Sequence, residues 1–498
     1  MAKNKSIAKN YIYNLIYQIF IVIVPLITTP YVARVLGEDA SGQYSFANSI
    51  LNYFTLFAAL GFGYYAQRLV ASHQGDKEQQ SKDFWEIIVA RAIPVGITSI
   101  LYVVLLLTGV YGTKYQLLMW ILYINVFSIA FDVSFFFQGN EEFGKIVTRN
   151  VLIKIIGIVA IFVFVKEEKD LWIYALIHGG STLLGNLSLW LYLPNYLVKV
   201  DPKQLKVIKH LPSTFILFLP TIAISIYTSL DKTLIGLITH SDAENGNYEY
   251  AERIVKMVMT LVTSLGTVLI PRNSQKFAEG DLEGIEKNIN KSMKFVFMLG
   301  FPLMFGLIAV SNNFCPWFLG PGYAKAPGIM MILSPLIIII GMSNVFGLQY
   351  LIPSKNDTKF TISVILGAVI NLLLNIVMIK RWGSYGAAIA SVIAESIVTI
   401  VMFMFVKKQV SFKEATKNSW KYLLAGIIMF IVCFILARIL PATIWATLII
   451  IIIGIIVYVT MLLIEKEDFL KENINVVKNR FFKKDNKGDI NEENLHSF

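Results

Sequence analysis

The sequence predicts an all-α integral membrane fold of about fourteen transmembrane helices, arranged as two parallel six-helix lobes plus two extra C-terminal helices. Three observations predict it: a deficit of charge, a series of apolar runs of bilayer length, and an internal repeat. Of 498 residues, 56% are apolar and 15% charged, whereas a soluble chain carries about 25% charged residues to cover its surface. Lipid, rather than water, is the solvent this composition calls for.

A bilayer core is crossed by about 20 apolar residues in helical form. Runs that qualify are 11–35, 42–67, 84–109, 115–138, 146–165, 171–193, 210–237 and 248–271, then 293–311, 326–352, 360–379, 383–406, 422–438 and 442–464. The connections are short, the longest being 194–209, 238–247, 272–292, 312–325 and 407–421, which leaves no room for a soluble domain before the tail. Lys3, Lys5 and Lys9 precede the first run as they would in a signal peptide, but no small-residue cleavage site follows. The run is read as a first membrane helix, not a leader. The tail 466–498 is polar, mixed in charge and read as disordered. Its stretch Arg480-Phe481-Phe482-Lys483-Lys484 suits anionic lipid or simply keeps the tail in solution.

Lys and Arg are distributed unequally between the two sides. Lys199, Lys203, Lys206 and Lys209 share one side with Lys407, Lys408, Lys413, Lys417 and Lys421, while the opposite side carries Glu38, Asp39, Asp242 and Glu244. Lys380 and Arg381 are the clear exception. The positive-inside rule then places both termini in the cytoplasm. Because the formal charge of +11 is dispersed among these short segments, it forms no compact basic module, and nucleic acid is excluded as a partner. Cys315 and Cys433 match no metal or redox spacing.

The repeat is found by setting the second run against the eighth. Gly42-Gln43-Tyr44-Ser45-Phe46-Ala47 has its counterpart in Gly246-Asn247-Tyr248-Glu249-Tyr250-Ala251, and Asp39-Ala40 in Asp242-Ala243. Leu60-Gly61, Arg68 and Gly75-Asp76 match Leu265-Gly266, Arg272 and Gly280-Asp281, at offsets of 203 to 205 throughout. Helices 1–6 and 7–12 are therefore two copies in the same orientation, related by an axis along the membrane normal. The expected units are an N-lobe over 1–197, a C-lobe over 198–408 and an added pair of helices over 409–465. Parallel lobes suit alternating access about a site near the midplane, so the chain is read as moving a solute or lipid.

Ionisable groups inside hydrocarbon are costly and face a cavity or a partner. In the N-lobe these are Arg91, Asp132, Lys154 and His178. Arg91 and Asp132 form a candidate structural ion pair, which makes Lys154 a surplus cation; His178 is a packing residue or a proton relay. In the C-lobe, Lys232, Arg253 and Lys256 either line a lumen or pair with Glu249 and Glu252 near the interface. Arg34, at the end of the first helix, either joins that lumen or pairs with Glu38 or Asp39. The candidate cationic lumen is thus Arg34, Arg91, Lys154, Lys232, Arg253 and Lys256. Asp231, Asn371, Asn375 and Glu395 are candidates for coupling to Na⁺ or a proton, with interhelical hydrogen bonding as the simpler reading. Gly61-Phe62-Gly63 is read as close helix packing rather than a dinucleotide loop. No phosphate-binding loop, catalytic triad or zinc spacing is present, so the chain is not expected to be an enzyme, to hold a cofactor or to bind a metal of its own.

Pro30-Tyr31-Val32-Ala33-Arg34-Val35-Leu36-Gly37, followed by Gly42-Gln43-Tyr44-Ser45-Phe46-Ala47, resembles the opening of Wzx-type polysaccharide flippases. Phe137-Gln138-Gly139-Asn140-Glu141-Glu142-Phe143, Asp231-Lys232, Pro271-Arg272 and Tyr385-Gly386-Ala387-Ala388-Ile389-Ala390 with Glu395 continue the likeness across residues 5–465. That family belongs to the MOP superfamily with MurJ and the MATE exporters. The resemblance implies transfer of an undecaprenyl-pyrophosphate-linked oligosaccharide from the inner to the outer leaflet of a bacterial cytoplasmic membrane, for cell-surface polysaccharide biosynthesis. It further implies that lumenal cations hold the pyrophosphate, that helices 13 and 14 flank the lipid tail, and that the protein works as a monomer beside a polysaccharide polymerase and glycosyltransferases. MurJ-like proteins place Na⁺ among the seventh, eleventh and twelfth helices, where Asp231, Asn371 and Asn375 lie here. A second acidic ligand expected there is Asn, which favours proton or potential coupling. The alternatives are a MATE-like exporter of small organic cations and, further off, a membrane glycan polymerase or ligase.

Overall fold

In the computed structural model, the backbone of residues 2–467 and the side chains of most of residues 23–467 are described. The expectation for the tail falls almost entirely outside them. Among the described residues all regular structure is helical: α1 (Ala2–Ala59), α2 (Phe62–Ser72), α3 (Lys77–Leu107), α4 (Thr113–Ser128), α5 (Ser134–Gly139), α6 (Phe143–Phe164), α7 (Leu171–Trp190) and α8 (Leu211–Thr239). There follow α9 (Asp242–Glu279), α10 (Leu282–Phe318), α11 (Ala326–Leu333), α12 (Leu336–Phe346), α13 (Asp357–Trp382), α14 (Ser384–Val406), α15 (Lys413–Lys417), α16 (Ser419–Ile439) and α17 (Ile444–Ile464). Eleven described helices are long and apolar enough to cross a membrane. The bend in α1 divides one of these into two passes, and α7 and α8 add two more, giving the fourteen expected.

Where the passes break, the sequence explains it. Gly37 adopts φ 73°, which folds α1 back on itself, a conformation that costs glycine nothing. Gly61, at φ 70°, separates α1 from α2. This corrects the reading of Gly61-Phe62-Gly63 as helix packing: a Cβ at Gly63 would meet nothing within 4 Å. Its repeat counterpart Gly266 stays inside α9 and does pack closely, since a Cβ there would lie 2.2 Å from Asn344 Oδ1.

The fourth pass of each lobe is also broken. In the first, a 3₁₀ turn at Ile129–Phe131 interrupts α4 and α5. In the second, a π-helical segment at Gly347–Leu351 follows α12. Backbone groups released by such a break in hydrocarbon must find partners. Arg91, 3% exposed, donates to the carbonyls of Ile129, at 3.4 Å, and Asp132. The guanidinium also lies 4.9 Å from the Phe135 ring. At the second break Asn273 Nδ2 donates to the Gln349 carbonyl at 2.8 Å, and the Gln349 side chain is held by Ser292 at 2.7 Å and Asn344 at 3.2 Å. The expected Arg91–Asp132 ion pair is thereby corrected: Arg91 takes the backbone carbonyl of Asp132. The carboxylate accepts instead from Ser134 N–H at 2.9 Å and starts α5.

The two halves have separate apolar cores. One joins buried residues of α1, α3, α4 and α7, such as Leu51, Tyr102, Leu122 and Ala175. A second gathers Phe62, Phe84, Phe135, Phe136 and Phe137 around the break in the fourth pass. A third runs through α9 to α14 and continues into α16 and α17. These last two helices pack on α10, fastened by Trp317 Nε1–H to Thr447 at 2.7 Å and Tyr458 O–H to the Met298 carbonyl at 2.7 Å.

Candidate functional site

The repeat places equivalent residues face to face. At the end of the bundle that holds the Gly37 bend, the second arm of α1 crosses α9 at Gly42 and Gly246. A Cβ on Gly42 would lie 1.8 Å from the Asp242 carbonyl oxygen, and one on Gly246 would lie 2.1 Å from that of Glu38. Only a pair of glycines permits this approach. Polar bonds surround the crossing: Ser45 to Asn245 at 3.3 Å and to Glu249 at 3.1 Å, Asn247 to Glu38 at 2.6 Å, and Ser41 with Tyr250 at 3.3 Å. Asp242, 5% exposed, accepts from Tyr115 at 2.5 Å and pairs with Lys114, both on α4. Deeper along the crossing, Ser49 and Tyr53 meet Thr233 at 2.8 and 3.0 Å. At the Gly37 end, then, the halves are sealed together.

Beneath this seal lies a cavity of about 830 Å³, bounded by both arms of α1, by α6 and α7, and across from them by α8 and α9. It runs from Tyr44 and Tyr174 near the seal toward Arg149 and Asn186 near the other end. Its lining carries Arg149, Lys154, Lys232, Arg253 and Lys256 against Glu249 and Glu252, so cations are in excess. The two carboxylates stand on successive turns of α9. Lys232 bridges them at 2.5 and 2.9 Å, Arg253 reaches back to Glu249 at 2.5 Å, and Lys256 to Glu252 at 2.6 Å. The i, i+4 spacing places each of these pairs on one helix face.

Of the six residues expected in a cationic lumen, Lys154, Lys232, Arg253 and Lys256 line this cavity. The two readings of the C-lobe cations hold together, for they pair with Glu249 and Glu252 and face the lumen as well. Arg91 does not line it, being committed to the broken fourth pass. Arg34 does not either. It is exposed beside Gly320, where a Cβ would lie 2.8 Å from Arg34 Cγ, and it pairs with neither Glu38 nor Asp39. His178 lines the cavity with its ring centroid 6.1 Å from that of Tyr44. Arg149, which sequence reasoning missed, reaches Asn186 Oδ1 at 3.2 Å across α7. The signal that could have found it was its place on the same helix as Lys154.

A second polar cluster lies within the C-lobe. Asp231, 7% exposed, accepts from Asn375 Nδ2 at 2.6 Å, Tyr248 O–H at 2.5 Å and Ser391 O–H at 2.5 Å. Asn375 Nδ2 also donates to Asn371 Oδ1 at 2.9 Å. Asn371 Nδ2 and Asn375 Oδ1 are buried there with no hydrogen-bond partner. The sequence thus brought three of its four coupling candidates together and missed Tyr248 and Ser391. Glu395, one turn beyond Ser391 on α14, is half-buried and does not bond Asp231. Asn375 turns its N–H₂ group, rather than its oxygen, to the carboxylate. Among the described residues no group of three His, Cys, Asp or Glu could hold a metal ion.

Residues 7–277 match the model of a family described as "Polysaccharide biosynthesis protein". The chain is 26% identical over 410 residues to the "Putative O-antigen transporter" of Escherichia coli K12, covering 82% of this chain and 98% of that one. Among solved structures, the lipid II flippase MurJ in an inward closed conformation matches with a TM-score of 0.71 at 19% identity, over 92% of this chain and all of that one. An inward-facing multidrug resistance MATE family transporter of the MOP superfamily matches with a TM-score of 0.58 at 14% identity, over 79% and 99%. At these identities both structural likenesses are likenesses of fold.

Proposed function

The chain belongs to the polysaccharide biosynthesis protein family, and from that premise we propose that it is a flippase for an undecaprenyl-pyrophosphate-linked oligosaccharide. It moves its substrate from the inner to the outer leaflet of a bacterial cytoplasmic membrane, for cell-surface polysaccharide biosynthesis. The observation that carries this reading is the cavity between the repeats, with its excess of cations. A diphosphate taken out of water needs charge-assisted hydrogen bonds from Arg and Lys, and a lumen between apolar helices strengthens them. The same excess disfavours the exporter of organic cations, whose cargo it would repel.

In this reading residues 1–197 and 198–408 are the two rocking lobes, and 409–465 the addition that flanks the lipid tail. Lys and Arg place both termini in the cytoplasm, which makes the sealed Gly37 end the outer one. The cavity is then poised to receive substrate from the inner leaflet. Arg149 and Lys154 hold the diphosphate as the lobes rock. Asp231, a buried carboxylate in the C-lobe, is the group that couples transport to a proton, because an ionisable side chain inside the membrane is costly unless it serves such a role. The protein acts as a monomer in a pathway with glycosyltransferases and a polymerase.

The test is reconstitution. Proteoliposomes carrying the wild-type chain should expose inner-leaflet lipid-linked oligosaccharide to an external glycan-cleaving enzyme, and Arg149→Ala with Lys154→Ala should lose this while still inserting. Unchanged exposure in the double variant would refute the cationic lumen. No exposure by the wild type, at any gradient of protons or potential, would refute the flippase.

A further inference from the structure

The cavity has two unlike walls. On α8 and α9, Lys232, Arg253 and Lys256 are already engaged by Glu249 and Glu252 at 2.5 to 2.9 Å. These five groups carry one net positive charge. Such a ladder offers carboxylate acceptors beside ammonium and guanidinium donors within a few ångströms. That is poor equipment for a dianion but suits neutral hydroxyl groups, each of which both donates and accepts.

Beside the Glu249 and Arg253 end of the ladder, aromatic rings line the cavity. Tyr44 and Tyr174 lie edge to face at 4.9 Å. Tyr44 is 8% exposed, lines the cavity, and its hydroxyl is buried with no hydrogen-bond partner. A buried polar group of this kind costs about 1–3 kcal/mol, and the repeat explains how it arises. Its counterpart Tyr248 donates to Asp231 at 2.5 Å. Offsets of 203 to 204 carry Asp231 back to Thr28 or Ile27, so the N-lobe has no carboxylate for Tyr44 to meet.

Resting on the flippase reading, we propose that the ladder and Tyr44 form a saccharide subsite. The sugars nearest the diphosphate lie here: Tyr44 O–H and the carboxylates of Glu249 and Glu252 hydrogen-bond ring hydroxyls, and the tyrosine rings pack on the apolar face of the sugar. The diphosphate lies toward Arg149 and Lys154 on α6. The subsite, rather than the diphosphate contacts, discriminates one glycan from another, because every substrate of this class shares the diphosphate.

Binding to the full chain in nanodiscs tests this with two probes. One is undecaprenyl diphosphate; the other is the same lipid bearing the oligosaccharide that accumulates in cells lacking this chain. Tyr44→Phe removes only an unpartnered hydroxyl and leaves folding intact, and Glu252→Gln removes one carboxylate. Each should weaken the glycolipid about tenfold, the loss of one good hydrogen bond, and leave the bare lipid within about twofold. Equal weakening of both probes, or of neither, overturns the subsite. A wild type that binds both probes equally also overturns it while leaving the flippase reading standing; one that binds neither removes that reading and the subsite with it.

Discussion

Arg91 illustrates how a buried charge serves structure in this protein. It sits in the N-lobe among Phe62 and Phe135 and spends its donors on carbonyls of a broken helix. Arg91→Leu should therefore destabilise the protein by about 1–3 kcal/mol, the cost of leaving a buried acceptor unpaired. Thermal unfolding in detergent would show this, while binding of undecaprenyl diphosphate to the folded fraction should be unchanged. Asp231 is the contrasting case, a buried carboxylate held by Asn375, Tyr248 and Ser391, whose hydrogen bonds survive in part when the charge is removed. Asp231→Asn should insert normally and abolish the dependence of transport on the proton gradient, measured in proteoliposomes at fixed potential. A dependence equal to wild type would remove Asp231 from coupling.

At the scale of elements, the crossing of α1 and α9 is the contact that must open and close. Gly42 and Gly246 bring the two backbones together, with Asp242 tied to Lys114 and Tyr115 beside them. Even a methyl group at Gly246 would overlap the Glu38 carbonyl oxygen at 2.1 Å. Gly246→Leu should hold the Gly37 end apart. A cysteine introduced at Ser41, buried at this seal, should then react with a membrane-impermeant thiol reagent at least about tenfold faster than in the wild type, and transport should be lost. Such a shift corresponds to about 1.4 kcal/mol in the closing equilibrium. Equal labelling would show that the glycines are not the point of closure.

For the whole molecule, the unequal distribution of Lys and Arg predicts topology. Reporter fusions within 194–209 and 407–421 should read as cytoplasmic, and fusions within 238–247 as external. The reverse pattern would put the sealed end inside and turn the proposed direction of transfer around. Among the described residues α16 and α17 pack chiefly on α10, outside the crossing of α1 and α9. Removing 409–465 should accordingly leave a protein that inserts and closes but moves its lipid slowly, read as a lower flipping rate at unchanged affinity for undecaprenyl diphosphate.

The sequence by itself determined the class, the count of passes and the duplication. Hydrocarbon demands long apolar runs, and a constant offset of 203 to 205 residues between motifs survives without any knowledge of packing. It also identified Asn371 and Asn375 as neighbours of Asp231, because they are one helical turn apart and ionisable groups in a membrane are few. Only the tertiary structure decided which buried charges face the lumen. Arg91 and Lys154 are alike in sequence, each a cation in an apolar run, yet one is claimed by the break in the fourth pass while the other lines the cavity from the fifth. That break is encoded by contacts rather than by proline or glycine, so no local pattern announces it. Arg149 and the lumenal position of Tyr44 were equally hidden, since a helix has one sequence and several faces. Which face meets the lumen is settled by the neighbours it packs against.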